Sequence, residues 1–117
     1  MKKIFHLSTC DTCQRIIREL GTPQDVEYQD IKTTPLNENS LDQLYKRAGS
    51  YEALFSKRAR LYRERNLKTR SLEESDIREL LLEHYTFLKR PVIVVDDQIF
   101  IGNAAKSVAA AKEALTS

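Results

Sequence analysis

Nothing in this sequence is apolar for long enough to cross a bilayer: the longest strongly apolar run is Val92 to Val95, four residues. The basic pair Lys2-Lys3 near the start is not followed by the apolar run of a signal peptide, so the expected compartment is the cytoplasm. Cysteine is scarce. Two residues, Cys10 and Cys13, stand too close together to build a disulfide framework, which agrees with a reducing compartment. There is no internal repeat and no low-complexity linker apart from an alanine-rich stretch near the end, and 117 residues suit one domain with one core. With 31% charged and 41% apolar residues the composition is that of an ordinary soluble globular protein.

What is present concentrates at one joint. Phe5-His6-Leu7-Ser8-Thr9-Cys10 reads as the end of a strand, spanning Lys3 to Leu7, that runs straight into a helix. In that helix Cys13, Ile16, Ile17 and Leu20 fall at i, i+3, i+4 and i+7, and Gly21 is its stop. Cys10 then lies at or before the first turn, where unpaired amides and the positive end of the helix dipole favour a negative group. A thiolate is such a group, and helix N-termini and Cys-X-X-Cys settings lower a thiol from about 8.5 into the range of roughly 3.5 to 7.5. Cys13, one turn on, is a candidate resolving thiol. It is equally a small apolar residue for the buried face, and the two readings stay open. Zinc held by His6, Cys10, Cys13 and His84 lacks a second closely spaced ligand pair, so no metal is expected and redox chemistry fits the spacing better. His84 reads as an ordinary helix residue.

Charge is uneven. From Lys57 to Arg70 seven basic residues (Lys57, Arg58, Arg60, Arg63, Arg65, Lys68, Arg70) face only Glu64, so this segment carries +6 while the rest of the chain carries −4 within a net +2. Such a stretch is either a solvated helix face or a surface for an anionic substrate, glutathione, an acidic protein face or nucleic acid.

Further along, Val26 to Ile31 is a second strand with Val26 and Tyr28 on one face, parallel to the first through the crossover helix. A helix starts at Asn39 or Ser40 and runs to Ala48, burying Leu41, Leu44, Tyr45 and Ala48 and stopped by Gly49. Ala53 to Leu67 is spaced irregularly and reads as loop and short helix. Ser71-Leu72-Glu73-Glu74 has the pattern of a capping box before a helix carrying Ile77, Leu80, Leu81 and His84. Val92 to Val95 fits a buried central strand behind Pro91, Asp96-Asp97 turns the chain, and Gln98 to Ile101 returns as its hairpin partner. Gly102-Asn103 caps a last helix with Ala104, Val108, Ala111 and Leu115 as its apolar face.

The order β-α-β, helices, β-β-α is similar to that of a thioredoxin-like fold: an α/β domain, 1–117, with a mixed sheet, helices on both faces and a helical insertion over about 36–88 between the halves. Cys10 after the first strand, Leu54-Phe55-Ser56-Lys57-Arg58 and Arg90-Pro91-Val92-Ile93-Val94 resemble the ArsC/Spx family, the glutaredoxin-linked arsenate reductases and their relatives. That resemblance implies Cys10 as catalytic nucleophile, His6 as a nearby histidine favouring the thiolate as a cation, and Arg90 as an anion-binding arginine, a role a forked guanidinium suits. It also implies a cis Arg90–Pro91 bond, with Pro91 facing the thiol.

The arsenate reductases use three arginines; Ser56 stands at the place of the first, with Lys57, Arg58 and Arg60 beside it, and Gly102 and Asn103 stand near that of the third. The implied function is arsenate reductase-type chemistry in which glutathione or glutaredoxin, or Cys13, resolves the intermediate, with no bound cofactor and no need for more than a monomer. The alternative is an Spx-like regulator: Cys10-Asp11-Thr12-Cys13 and Ser56-Lys57-Arg58 resemble the branch whose Cys10–Cys13 switch governs contact with the RNA polymerase α subunit.

Overall fold

The computed structural model describes residues 1–116. Four strands form one mixed sheet in the order β2-β1-β3-β4: β1 Lys2–His6, β2 Glu27–Asp30, β3 Val92–Val95 and β4 Gln98–Ile101. β1 pairs parallel to β2, with Ile4 opposite Tyr28 and His6 opposite Asp30, and antiparallel to β3, with Ile4 opposite Ile93. β3 and β4 form the expected hairpin, turning through Asp96 at φ 53°. The α/β class and mixed sheet are those expected, although β1 lies one residue earlier than the alternation suggested.

Two compact units make up the chain. The first is 1–34 with 90–117, and holds the sheet, α1 (Asp11–Glu19) and α5 (Ala105–Thr116). Its core forms where the helical and sheet periodicities meet: Ile16 and Leu20 of α1 and Val108, Ala111 and Leu115 of α5 pack with Ile4, Ile93 and Val95 of the strands. Phe5, Val92 and Val94 point to the opposite sheet face and are buried as well, so β3 is apolar on both faces, as its uninterrupted Val-Ile-Val-Val run requires. Tyr28 is exposed on edge strand β2, where its hydroxyl donates to the Pro23 carbonyl at 2.7 Å, so an amphipathic ring satisfies the alternation without entering the core. Ala104 departs from expectation, being exposed ahead of α5 and outside its apolar face.

The second unit, 35–89, is helical: α2 (Glu38–Ala48), α3 (Arg60–Glu64) and α4 (Glu74–Glu83), with a 3₁₀ turn between each pair and a third, Tyr85–Phe87, after α4. Its centre is the stacked pair Phe55 and Phe87, ring centroids 5.5 Å apart, tied by the Ser56 N–H donating to the Phe87 carbonyl at 2.7 Å. Four expectations are corrected here. Asn37 caps α2, in a reciprocal box with Ser40, so the helix starts earlier. Glu73 with Asp76, not Ser71 with Glu74, makes the box of α4, because a carboxylate accepts the N3 amide as well as a hydroxyl does. Tyr45 is exposed and stacks on Tyr51 at 4.4 Å instead of burying with Leu41 and Leu44. His84 lies one residue past α4, where its Nδ1 accepts the Thr86 N–H at 3.1 Å, a local structural bond.

Candidate functional site

The first unit builds the site at the end of β1. Leaving the strand, the chain turns through Leu7 to Cys10, with the Cys10 N–H donating to the Leu7 carbonyl at 3.0 Å, and α1 begins at the next residue. Cys10 is therefore the N-cap of α1, with φ −94° and ψ 114°, and its carbonyl accepts the first helical bond from the Gln14 N–H at 3.1 Å. Two side-chain contacts hold this turn from outside. Gln14 donates Nε2 to the Ser8 carbonyl at 3.3 Å, and the Ser8 hydroxyl donates to the Asp30 carboxylate at the end of β2.

The two thiols have opposite environments. Cys10 is partly exposed and Cys13 is 0% exposed, on the apolar face of α1 beside Ile16 and Ile17. Burial pushes the Cys10 thiol up, but the amide of Cys13, the Cys13 thiol, the amide of Thr12 and the Arg90 guanidinium together outweigh it and hold the group below its ordinary value. The amides act as dipoles aimed at the sulfur, since Cys10 makes no cap hydrogen bond of strict geometry. Cys13 goes the other way: burial first, then the charge of Cys10, raises it to about 11, against opposing contributions from the Leu7 backbone and Arg90.

Arg90 acts on both thiols from just ahead of β3, and Pro91 follows through the cis bond the resemblance implied. Pro91 is buried, and its carbonyl accepts the Gly102 N–H at 2.9 Å. Gly102, at φ 86°, occupies the left-handed region where the turn out of β4 needs a residue without a side chain.

His6 ends β1, edge-on to Tyr28 with ring centroids 5.9 Å apart. Burial lowers it, partly countered by Asp30, so the imidazole is neutral at pH 7. This runs against the expectation of a cationic His6, and its Nδ1 is buried without a hydrogen-bond partner. Lys57, Arg58 and Arg60 belong to the helical unit. There Lys57 pairs with Glu52 at 3.7 Å, Arg60 with Glu64 at 3.5 Å, and the Arg58 N–H donates to the Ser56 hydroxyl at 3.3 Å. Among the described residues no group of three or more His, Cys, Asp or Glu is arranged to hold a metal ion, and no helix is long and apolar enough to cross a membrane.

Sequence reasoning passed over Ser8, Asp30 and Thr12. Asp30 reaches the site only because the parallel register sets it opposite His6, and no motif around it carries that information. Thr12 contributes its main-chain amide, which any residue but proline would supply there.

An uncharacterized protein of Haemophilus influenzae is 27% identical over 114 residues, covering 95% of this chain and 98% of its own. A solved arsenate reductase from Vibrio cholerae has a TM-score of 0.78 at 21% identity, covering 93% of this chain and 95% of its own. A Staphylococcus aureus protein solved in solution has a TM-score of 0.74 at 27% identity, covering 94% and 97%. The ArsC family model matches residues 5–111, from the middle of β1 into α5 and so across Cys10, Cys13 and Arg90; the chain belongs to the ArsC family.

Proposed function

We propose that this chain is a thiol oxidoreductase performing arsenate reductase-type chemistry, with Cys10 as the nucleophile. The observation that carries the reading is the Cys10 sulfur at the start of α1, partly exposed and held toward its ionised form by two amides, a thiol and Arg90. In the reaction the Cys10 thiolate bonds to arsenic, and an oxygen departs as water after taking up protons. Two electrons, supplied by Cys10 and one external thiol, reduce arsenic(V) to arsenic(III), and those two sulfurs end joined as a mixed disulfide. A further thiolate then attacks that disulfide, breaks the S–S bond and returns Cys10 as the thiolate. Glutathione or glutaredoxin supplies that thiolate; where Cys13 attacks Cys10 instead, the external thiol leaves, a Cys10–Cys13 disulfide forms, and two further external thiols reduce it to return Cys10.

Arg90 binds the oxyanion and stabilises the charge that develops on its oxygens. Lys57, Arg58 and Arg60 give the helical unit a basic surface of its own that attracts anions.

The test is alkylation of Cys10 across pH, followed by arsenite production from arsenate with glutathione and glutaredoxin. The expected result is a Cys10 midpoint below that of a free thiol and no turnover in Cys10→Ser. A Cys10→Ser protein that keeps its rate, or a midpoint at the free-thiol value, overturns the assignment.

A further inference from the structure

We infer that Ser8 and Asp30 are a pair of positioning residues for Cys10: the Ser8 hydroxyl, donated to the Asp30 carboxylate, fastens the turn that carries Cys10 to the end of β2. This deepens the proposed function and rests on Cys10 being the reacting thiol. The pair acts through the place it gives the sulfur.

Burial shows why the turn needs fastening. Leu7, just past β1, is buried, and so is Cys13 in the first turn of α1. Between them Ser8, Thr9 and Asp11 are exposed, and Cys10 and Thr12 are only partly covered. Residues 8–12 therefore have no side chain sunk in the core to hold them, and hydrogen bonds decide where Cys10 sits. Within the turn the Cys10 N–H donates to the Leu7 carbonyl at 3.0 Å, with Ser8 and Thr9 as the central residues. That bond sets the shape of the turn, not its place against the sheet. Two side chains set the place: from α1, Gln14 Nε2 reaches back to the Ser8 carbonyl at 3.3 Å, and from the sheet Asp30 takes the Ser8 hydroxyl.

Asp30 is a firm anchor because its own main chain is fixed. It stands opposite His6 in the parallel register of β1 and β2, and the amide after it, Ile31 N–H, donates to the His6 carbonyl at 2.9 Å. The Asp30 carbonyl accepts the Thr34 N–H at 2.8 Å. Its carboxylate oxygens have separate tasks: Oδ1 accepts the Lys32 N–H at 3.0 Å, the bond of an Asx turn, and Oδ2 accepts Ser8. A hydroxyl on an ionised carboxylate is a charge-assisted bond, stronger than the neutral contact from Gln14. The Ser8 hydroxyl and the Lys32 amide in turn hold the Asp30 carboxyl below its ordinary value, so the acceptor stays ionised at neutral pH. The consequence falls on the cap. Cys10 is the N-cap of α1, and the favourable field of the helix start fades within the first turn, so a turn free to swing carries the sulfur out of it.

Ser8→Ala is the cleanest perturbation, because it removes the hydroxyl and leaves His6, Asp30 and Arg90 in place. Iodoacetamide alkylation of Cys10 against pH, and arsenite production from arsenate with glutathione and glutaredoxin, are compared in wild type, Ser8→Ala and Ser8→Thr. Alanine should raise the alkylation midpoint by about half a pH unit, a roughly threefold smaller thiolate fraction below it. It should also lower kcat roughly tenfold while KM for arsenate holds, since Arg90 is untouched. Threonine keeps the hydroxyl and should restore both. In an Asp30→Ala background Ser8→Ala should change nothing further, because the bond is already gone.

A hydroxyl that merely stabilises the fold lowers the urea midpoint of Ser8→Ala and leaves the alkylation profile where it was; that result overturns the inference, as does a threonine variant that fails to restore the midpoint. Equal effects of Ser8→Ala with and without Asp30 overturn the pairing. A wild-type Cys10 midpoint at the free-thiol value overturns the inference together with the proposed function, whereas a lowered wild-type midpoint that alanine fails to move removes the inference alone. A midpoint that alanine raises, in a wild type that makes no arsenite, supports the positioning role and removes arsenate as the substrate.

Discussion

Raising the pH from 9 to 11 should strip the fold of a contribution that can be assigned to one atom, the Cys13 sulfur. Buried and beside the Cys10 thiolate, it titrates at about 11 in the folded chain against 9.0 when unperturbed. Between those values the folded chain holds a proton that the unfolded chain has released, so stability falls as pH rises. The contribution is whole below 9.0 and gone above about 11. Two pH units at 1.36 kcal/mol each amount to about 3 kcal/mol.

Cys10 carries the opposite sign. Its folded value is depressed, so its contribution grows as pH rises toward 9.0 and is complete before the Cys13 window opens. The assay is urea denaturation of wild type and Cys13→Ala between pH 9 and 11, read as the difference between the two proteins so that lysines and tyrosines common to both cancel. At the lower end the wild type should be the more stable, by about 1 kcal/mol for the lost sulfur contacts. At the upper end the order should reverse, with alanine ahead by about 2 kcal/mol. A gap that stays constant across the window would refute the claim that Cys13 is held protonated by burial.

Two smaller predictions follow from the packing and the caps. Ile16→Ala takes three carbons from a fully buried position on the helix that carries both thiols; at about 0.8 kcal/mol per carbon plus a cavity contribution, the loss is about 3 kcal/mol, read from urea midpoints. Asn37→Ala removes the side chain that accepts the Ser40 N–H at 2.8 Å and should cost about 1 kcal/mol, seen as a lower thermal midpoint with Cys10 alkylation unchanged.

Several features of this protein were written into local sequence. Cys13, Ile16, Ile17 and Leu20 recur at helical spacing, and all four are buried, because one apolar stripe can be hidden only by docking that face. Val92 to Val95 has no polar alternation, and the strand it forms is buried on both faces. The joint between β1 and α1 put Cys10 at a helix start before any contact was known. Patterns of this kind are short-range, and tyrosine shows their limit. Tyr28 and Tyr45 fit the apolar periodicities yet stay exposed, since a ring with a hydroxyl is content half in water.

What only the tertiary structure decided lies between residues far apart in the chain. Arg90 reaches thiols 80 and 77 positions earlier because β3 pairs with β1, and Asp30 meets His6 because β1 and β2 run parallel in one register and not the next. The environment of the second cysteine was decided in the same way. In sequence Cys13 is a resolving thiol or a core residue with equal right; complete enclosure on the apolar face of α1 holds its thiol above the ordinary value, because a charge costs most where neither water nor a partner can reach it.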